Sequence, residues 1–249
     1  MKKLLLLLCS VYLFATTNII VSYENKATYP YYTNPNSKKL GFAIDVLKSI
    51  QKKLDVKFIF KREPGIRGLK NLAANKVDLL LFASYNKNRE KIAVYPKKNG
   101  LIDTSKKSME LGYYLYKLKD SNITWNGKQF FNVNGLVGTT RGYSIVGFLK
   151  QLGISVNENN SNEADILKLL KHRIVGVVNQ SSKIDLFLKT HPNIDLKVKK
   201  VYPAIKKKAY YIVFSKKFYS THKKLANQIW NLMKDLDNNP NYDKFRKKY

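Results

Sequence analysis

The chain has 249 residues, 44% of them hydrophobic, and a formal net charge of +29 at pH 7. The hydrophobic fraction excludes a wholly disordered chain, and the length suffices for one large core or two modest ones. Lysines occur in pairs along the whole chain, such as Lys38-Lys39, Lys97-Lys98 and Lys223-Lys224. No basic stripe or nucleic-acid motif stands out, so we expect a solvated lysine surface and no nucleic-acid partner. A polyanion-binding surface is the alternative, because such a field concentrates anions.

The N-terminus has the pattern of a secretory signal. Met1-Lys2-Lys3 precedes an apolar run from Leu4 to Ala15, which is too short to span a bilayer comfortably. We expect residues 1–17 to be a signal peptide and the protein to be periplasmic. The alternative is an uncleaved membrane anchor. Cys9, the only cysteine, lies inside this run, so the predicted mature chain offers neither disulfides nor thiol chemistry.

Strand and helix patterns alternate along the rest of the chain. Predicted strands or extended segments are Ile19–Tyr23, Val56–Phe60, Val77–Phe82, Tyr113–Lys117, Leu136–Thr139, Ile154–Val156, Val175–Asn179, Asp195–Lys199 and Tyr210–Phe214. Predicted helices are Ile44–Leu54, Gly68–Ala74, Tyr143–Leu152, Ala164–Lys171, Ser181–Thr190 and Leu225–Leu236, the last with Thr221 as its N-cap. Repeated βα units predict an α/β fold with mainly parallel sheets flanked by helices, in two lobes.

One strand end carries the strongest candidate for a binding site. The apolar run Leu79–Phe82 suits a strand that is buried on both faces, and Ser84 follows at its carboxyl end. Arg89 lies five residues further on. Ligands of open α/β sheets bind at this edge, where a guanidinium and a hydroxyl can together hold a carboxylate. The alternative is that Arg89 caps the sheet edge or pairs with a nearby acid such as Glu90.

The order and spacing of several motifs resemble the bacterial extracellular solute-binding proteins of family 3. The residues that carry the resemblance are Gly41–Val46, Lys76–Asp78, Asn88–Glu90, Arg141–Ser144, Ala164–Arg173 and Phe214–Lys216. The resemblance implies a two-lobed periplasmic-binding-protein-like fold, with residues 18–115 and 208–249 in lobe one and residues 116–207 in lobe two. It also implies a monomer that captures a small polar solute for the membrane permease subunits of an ABC importer.

The resemblance assigns ligand contacts to residues of both lobes. Arg89 and Ser84 match the carboxylate-binding pair of lobe one. Gly142, Tyr143 and Ser144 match a strand-to-helix junction of lobe two, where the first amides of a helix offer an anion site. An ordinary helix cap is the alternative at this junction.

Three more residues are candidates for ligand contact. Arg67 lies in a predicted loop at the same sheet edge, and Tyr31 lies in the aromatic turn after the first strand. The alternative for Arg67 is an arginine exposed to solvent, and the alternative for Tyr31 is a loop that packs onto the lobe. Gln180 stands where amino-acid binders of the family commonly carry an aspartate that neutralises the ligand ammonium. An amide cannot balance a positive charge, so we expect an anionic or neutral solute that bears a carboxylate.

The sequence predicts no catalytic residue, cofactor or metal site. Each of the three histidines lies beside lysine, arginine or proline at a predicted helix end, and no metal-ligand spacing, nucleophile elbow or phosphate loop occurs. Two alternatives to transport use the same fold. They are a ligand-sensing module for a separate membrane receptor and an enzyme related to cyclic-acid dehydratases.

Overall fold

The computed structural model describes residues 16–249, so residues 1–15, which hold most of the predicted signal peptide, lie outside the described part. The strands are β1 (Thr17–Glu24), β2 (Val56–Glu63), β3 (Leu79–Ser84), β4 (Lys97–Lys98), β5 (Leu101–Ile102), β6 (Met109–Leu118), β7 (Thr124–Trp125), β8 (Phe130–Phe131), β9 (Val137–Thr140), β10 (Val156–Asn159), β11 (Gly176–Gln180) and β12 (Val198–Phe214).

Short and medium helices connect these strands. They are α1 (Phe42–Leu54), α2 (Gly65–Ala73), α3 (Lys87–Glu90), α4 (Ile145–Gln151), α5 (Asn162–Leu170), α6 (Ser181–Lys189), α7 (Pro192–Asp195), α8 (Lys216–Thr221), α9 (Lys223–Leu232) and α10 (Asp243–Arg246), with 3₁₀ turns at Thr104–Lys106 and Pro240–Tyr242. Between residues 16 and 249, no helix is both long enough and apolar enough to span a membrane.

Eight strands form one curled sheet in the order β10-β9-β11-β6-β12-β3-β1-β2. At one end β2, β1 and β3 are parallel, and at the other end β10, β9 and β11 are parallel. The long strands β6 and β12 lie between these groups and are antiparallel to each other and to their outer neighbours. Two parallel groups joined by two crossing strands form the predicted two-lobed α/β fold.

Separate hydrophobic cores lie on either side of this crossing. In β6, Met109 and Leu111 pack with the core of the first parallel group, whereas Tyr113 and Leu115 pack with the core of the second. The register of β12 against β6 is irregular between Val201 and Lys206. The return crossing follows this irregularity, because Val201 and Ile205 pack with the second core and Tyr210 packs with the first. The lobe boundaries given above, residues 18–115 and 208–249 against residues 116–207, stay a prediction.

The C-terminal helix and the strand at Asp195–Lys199 are two of the predicted elements that differ in detail from the structure. The predicted C-terminal helix is preceded by a separate helix, α8, which ends at Thr221. The Thr221 hydroxyl donates to the carbonyls of Lys217 and Phe218 in α8, so it does not cap α9. The strand predicted at Asp195–Lys199 begins only at Val198. Pro192 starts the short helix α7 instead, since a proline is well tolerated at the first helical position.

A β-bulge changes the direction of the β3 side chains just before Ser84. Leu81 and Phe82 together lie opposite Ile212 of β12, and Phe82 adopts a φ of 71°. An extra residue shifts the alternation of side chains between the two faces. As a result, Leu81 and Phe82 both pack in the core of the first parallel group. Ala83 packs with Leu80 in a separate hydrophobic cluster. The bulge thereby sets the orientation of the strand end that carries Ser84.

The first core provides a test of stability. Leu47 of α1 is fully buried, so we expect Leu47→Ala to lower the free energy of unfolding by about 2–5 kcal/mol through lost burial and a residual cavity. Leu101→Ala is the matched control, because Leu101 is 74% exposed and should change stability by less than about 0.5 kcal/mol. Urea denaturation measures both values. Equal losses in the two variants would contradict the assigned core.

Candidate functional site

A cavity of about 380 Å³ lies between the two lobes. Its walls include the carboxyl ends of β1, β3, β9 and β11 and the starts of α2 and α4. This is the sheet edge at which ligands of α/β folds bind, and the volume falls in the usual range for small-molecule sites. Most of the predicted site residues line this cavity, namely Ser84, Arg89, Gly142, Tyr143, Ser144 and Gln180.

Arg89 contacts both lobes beside Ser84 and Ser144, two facing residues that are called the serine pair below. One guanidinium nitrogen, Nη1, donates to the hydroxyl of Ser84 at 2.8 Å and to its carbonyl at 3.0 Å. The other, Nη2, donates to the carbonyl of Gly142 at 3.2 Å. The hydroxyls of Ser84 and Ser144 are 2.8 Å apart, across the gap between the lobes. Through the Ser84 carbonyl, Arg89 also caps the end of β3, which is one of the two alternatives given above. The other alternative, pairing with Glu90, is not observed among the described residues, because Glu90 pairs with Lys97.

Neighbouring residues fix this arrangement. The Asn86 side chain caps α3 by accepting from the backbone N–H of Arg89 at 2.8 Å. Glu90 accepts from the hydroxyl of Tyr85 at 2.7 Å and forms an ion pair with Lys97. Tyr95, which is 3% exposed, donates to the carbonyl of Ser84 at 3.0 Å. The guanidinium is therefore held over the end of β3, while the nearby acid is engaged elsewhere.

Lys208 brings a second cation to the serine pair. Its Nζ donates to the hydroxyl of Ser144 at 2.7 Å. Burial, followed by the charges of Lys206 and Arg89, lowers the pKa of Lys208 to about 7. Among the described residues, the hydrogen-bond partners of Arg89 and Lys208 are hydroxyls and carbonyls, and neither cation is in an ion pair. The Arg89 guanidinium, the titratable Lys208 amine and two hydroxyls thus converge as an anion site.

We expect solute binding at this site to depend on pH through Lys208. A carboxylate nearby favours the charged ammonium and raises its pKa, so binding above about pH 7 takes up a proton. Affinity should fall as the pH rises above 7, by at most about tenfold per pH unit for one coupled proton. Calorimetry between about pH 6 and pH 9 measures this dependence. Lys208→Met should remove it, and an identical slope in the variant would contradict the coupling.

A second polar cluster also crosses between the lobes. The Tyr143 hydroxyl donates to the carboxylate of Glu24, with 2.9 Å to each oxygen. Lys183 Nζ lies 3.1 Å from Glu24 Oε2 and donates to the Tyr143 hydroxyl at 2.5 Å. The Lys183 side chain is 1% exposed, and that of Glu24 is 15% exposed. Burial and then the Glu24 charge raise the pKa of Tyr143, which therefore stays a donor.

Gln180 lies on the hinge side of the cavity, beside the two crossing strands. Its Nε2 donates to the hydroxyls of Tyr210 and Tyr113 at 2.6 and 3.2 Å. Its Oε1 is buried without a hydrogen-bond partner in the described chain. Asp185, the acid nearest to Gln180 along the chain, does not supply the missing negative charge. It faces away from the cavity, since it accepts from the Tyr116 hydroxyl and pairs with Lys200 at 2.7 Å. The position of the expected aspartate is therefore occupied by a neutral amide.

The family model for bacterial extracellular solute-binding proteins, family 3, matches residues 19–249. The chain belongs to this family. No curated protein sequence matches this family-3 protein significantly.

Solved structures share the fold of this family-3 protein. An ancestral arginine-binding protein bound to arginine is 22% identical, with a TM-score of 0.69 over 93% of this chain and 97% of the other. The GluR0 ligand-binding core from Nostoc punctiforme, in complex with L-glutamate, is 20% identical, with a TM-score of 0.69 over 93% and 98%. A putative binding component of an ABC transporter from Wolinella succinogenes, complexed with lysine, is 12% identical, with a TM-score of 0.71 over 94% and 96%.

Two of the predicted contacts do not lie at the cavity of this family-3 protein. Tyr31 is 5% exposed, packs between Phe42 and Phe82, and donates to the carboxylate of Asp237. Its neighbour Tyr32 lines the cavity instead. The hydroxyl of Tyr31 is thus committed to the lobe-one core.

Arg67 is also away from the cavity, because α2 begins earlier than predicted. The helix starts at Gly65, so Arg67 lies within it and is exposed to solvent. Ile66 and Leu69, three residues apart on one face of α2, line the cavity instead. The structure therefore replaces the predicted cation at this edge with an apolar wall.

Three functional candidates were not predicted from the sequence. Glu24 ends β1 as Ser84 ends β3, so the strand-end rule that selected Ser84 also applies to Glu24. Lys183 and Lys208 belong to the 46 lysines and arginines of the chain, and no local pattern distinguishes them. Only the fold shows that they turn inwards.

Proposed function

We propose that this protein captures a small carboxylate-bearing solute between its two lobes and delivers it to the permease subunits of an ABC importer. The main support is the meeting of Arg89 and Ser84 from one lobe with Gly142 and Ser144 from the other. Membership of a solute-binding family supports the same role. In this proposal the protein is a periplasmic monomer, exported by a signal peptide at residues 1–17.

The proposed binding step couples the carboxylate to lobe closure. The solute accepts hydrogen bonds from the Arg89 guanidinium and from the hydroxyls of Ser84 and Ser144, which exchange the hydrogen bond between them for bonds to the solute. Because these donors come from both lobes, the solute interacts more strongly with the closed arrangement than with an open one. Such a difference in affinity shifts the equilibrium towards the closed form, which is the form that docks on the importer.

A sensing role is the second candidate. It is supported by the structural likeness to the GluR0 ligand-binding core. Capture and closure are the same in both roles, and only the membrane partner differs. Co-purification with permease subunits would support transport, whereas co-purification with a receptor would support sensing.

A thermal-shift screen tests solute capture. The panel comprises amino acids, dicarboxylates, opines, small peptides and cyclohexadienyl acids. We expect a carboxylate at a hundred times its dissociation constant to add about 2.7 kcal/mol to the free energy of unfolding. We propose binding without turnover, so each bound solute should be recovered unchanged after incubation. A panel without any shift would contradict capture, and conversion of a cyclic acid would favour the dehydratase-like alternative.

A further inference from the structure

The charges at the cavity are strongly unequal. Among the described residues, the acid that lines it is Glu24, whereas the lining cations are Lys26, Arg89 and Arg141. Lys208 adds another cation behind Ser144. A guest with a negative charge relieves this imbalance, and a guest with an added positive charge increases it.

The one lining carboxylate is already neutralised from the opposite lobe. Lys183 is fully buried, lies 3.1 Å from Glu24 and points its ammonium at the oxygen Oε2. Tyr143 donates to both oxygens of the same carboxylate. A ligand ammonium that approached Glu24 would therefore meet the ammonium of Lys183 and compete with two existing donors.

No other described residue supplies a negative charge for an ammonium at the cavity. Gln180 donates its amide hydrogens to Tyr113 and Tyr210, and its remaining acceptor, Oε1, is neutral. The rest of the lining combines neutral polar side chains, such as Thr28 and Asn160, with a group of apolar side chains from α2, β3 and β6. The apolar lining residues include Ile66, Leu80, Phe82, Met109 and Leu111. These walls suit a hydrocarbon body between the polar clusters.

We infer that the solute is a net anion: a carboxylate with an apolar body and no ammonium group. The inference rests on the proposed function and narrows its substrate class to acids such as 2-oxo acids. The carboxylate binds Arg89 and the serine pair. The ammonium of Lys183 pairs with Glu24 and so prevents an amine of the solute from binding there. Lys183 is thus a specificity-determining residue that excludes amino acids.

Matched pairs of compounds test this inference on the wild-type protein. Leucine and 4-methyl-2-oxopentanoate, like phenylalanine and phenylpyruvate, differ in whether they carry an ammonium or a carbonyl beside the carboxylate. By calorimetry we expect each oxo acid to bind about tenfold or more tightly than its amino acid, because juxtaposed like charges are strongly unfavourable. Amino acids that bind as tightly as their oxo acids would overturn the inference.

Lys183→Met tests the cause of the selectivity. Removing the ammonium exposes the Glu24 carboxylate to the guest, so the affinity ratio of oxo acid to amino acid should fall by about tenfold or more. Each ratio is measured on one variant, so a general change in lobe closure cancels. Lys189→Met is the matched control, because Lys189 is exposed on the same helix, α6, and should leave the ratio unchanged. An unchanged ratio in Lys183→Met would also overturn the inference.

The experiments distinguish a failure of the proposed carboxylate capture from a failure of the inference that the solute has no ammonium group. If neither the oxo acids nor the amino acids bind, solute capture of carboxylates is wrong, and the inference falls with it. If amino acids bind as tightly as oxo acids and still depend on Arg89, solute capture stands and the inference alone is wrong. The wild-type comparison decides this even if Lys183→Met does not fold.

Discussion

Arg89→Ala is expected to weaken binding of a carboxylate solute by about 1.5–3 kcal/mol, the usual contribution of hydrogen bonds to a charged group. This corresponds to a loss of about 10- to 150-fold in affinity. Arg89 Nη1 is fixed by Ser84 and Nη2 by the carbonyl of Gly142, so the guanidinium is positioned before the solute arrives. Titration calorimetry with a carboxylate found in the screen measures the loss directly.

Arg67→Ala is the matched control for this prediction. Both variants remove one positive charge from the same lobe, but Arg67 is exposed on α2 and does not line the cavity. Its affinity should therefore differ from that of the wild type only by the weak, salt-screened effect of a surface charge. Equal losses in the two variants would show that net charge, and not the site at Ser84, governs binding.

Glu24→Gln is expected to destabilise the closed arrangement by up to about 3–5 kcal/mol, because it leaves a buried ammonium without its counter-charge. The ammonium is that of Lys183, whose side chain is 1% exposed and lies in the other lobe. Opening the lobes relieves the penalty by solvating Lys183. We therefore expect an increased radius of gyration in small-angle X-ray scattering, with little change in the cooperative unfolding of each lobe.

A double-variant cycle separates this effect from a general loss of structure. Adding Lys183→Met to Glu24→Gln removes the unpaired charge, so the double variant should recover much of the closed form. Replacing the exposed Lys189 in the Glu24→Gln background leaves the buried ammonium in place and should recover nothing. Scattering curves that are identical for all these variants would show that the Glu24–Lys183 pair has no role in closure.

The sequence predicts the fold well because each lobe repeats a simple βα pattern. The apolar run of β3 marks a buried parallel strand, and the edge rule then places Ser84 and Arg89 at the cavity. The resemblance to the family adds Gly142 and Ser144, which lie at a strand-to-helix junction on the opposite wall. These positions depend on local pattern and strand order, which a single sequence carries.

The polar partners of the site depend on tertiary structure that local patterns do not carry. Lys183 lies in a helix and Lys208 in a crossing strand, and each resembles any other lysine of this basic chain until the lobes come together. The failure at Arg67 has a local cause, because α2 starts three residues before the predicted position. The bulge at Phe82 is likewise set by packing against β12 and has no signature in the sequence.

The most direct test of solute capture is a crystal structure of the protein with the carboxylate that binds most tightly in the screen. We predict a carboxylate group within hydrogen-bonding distance of the Arg89 guanidinium and of the Ser84 hydroxyl, enclosed by both lobes. A solute bound outside the interlobe cavity, or bound there with its carboxylate turned away from Arg89, would contradict the account.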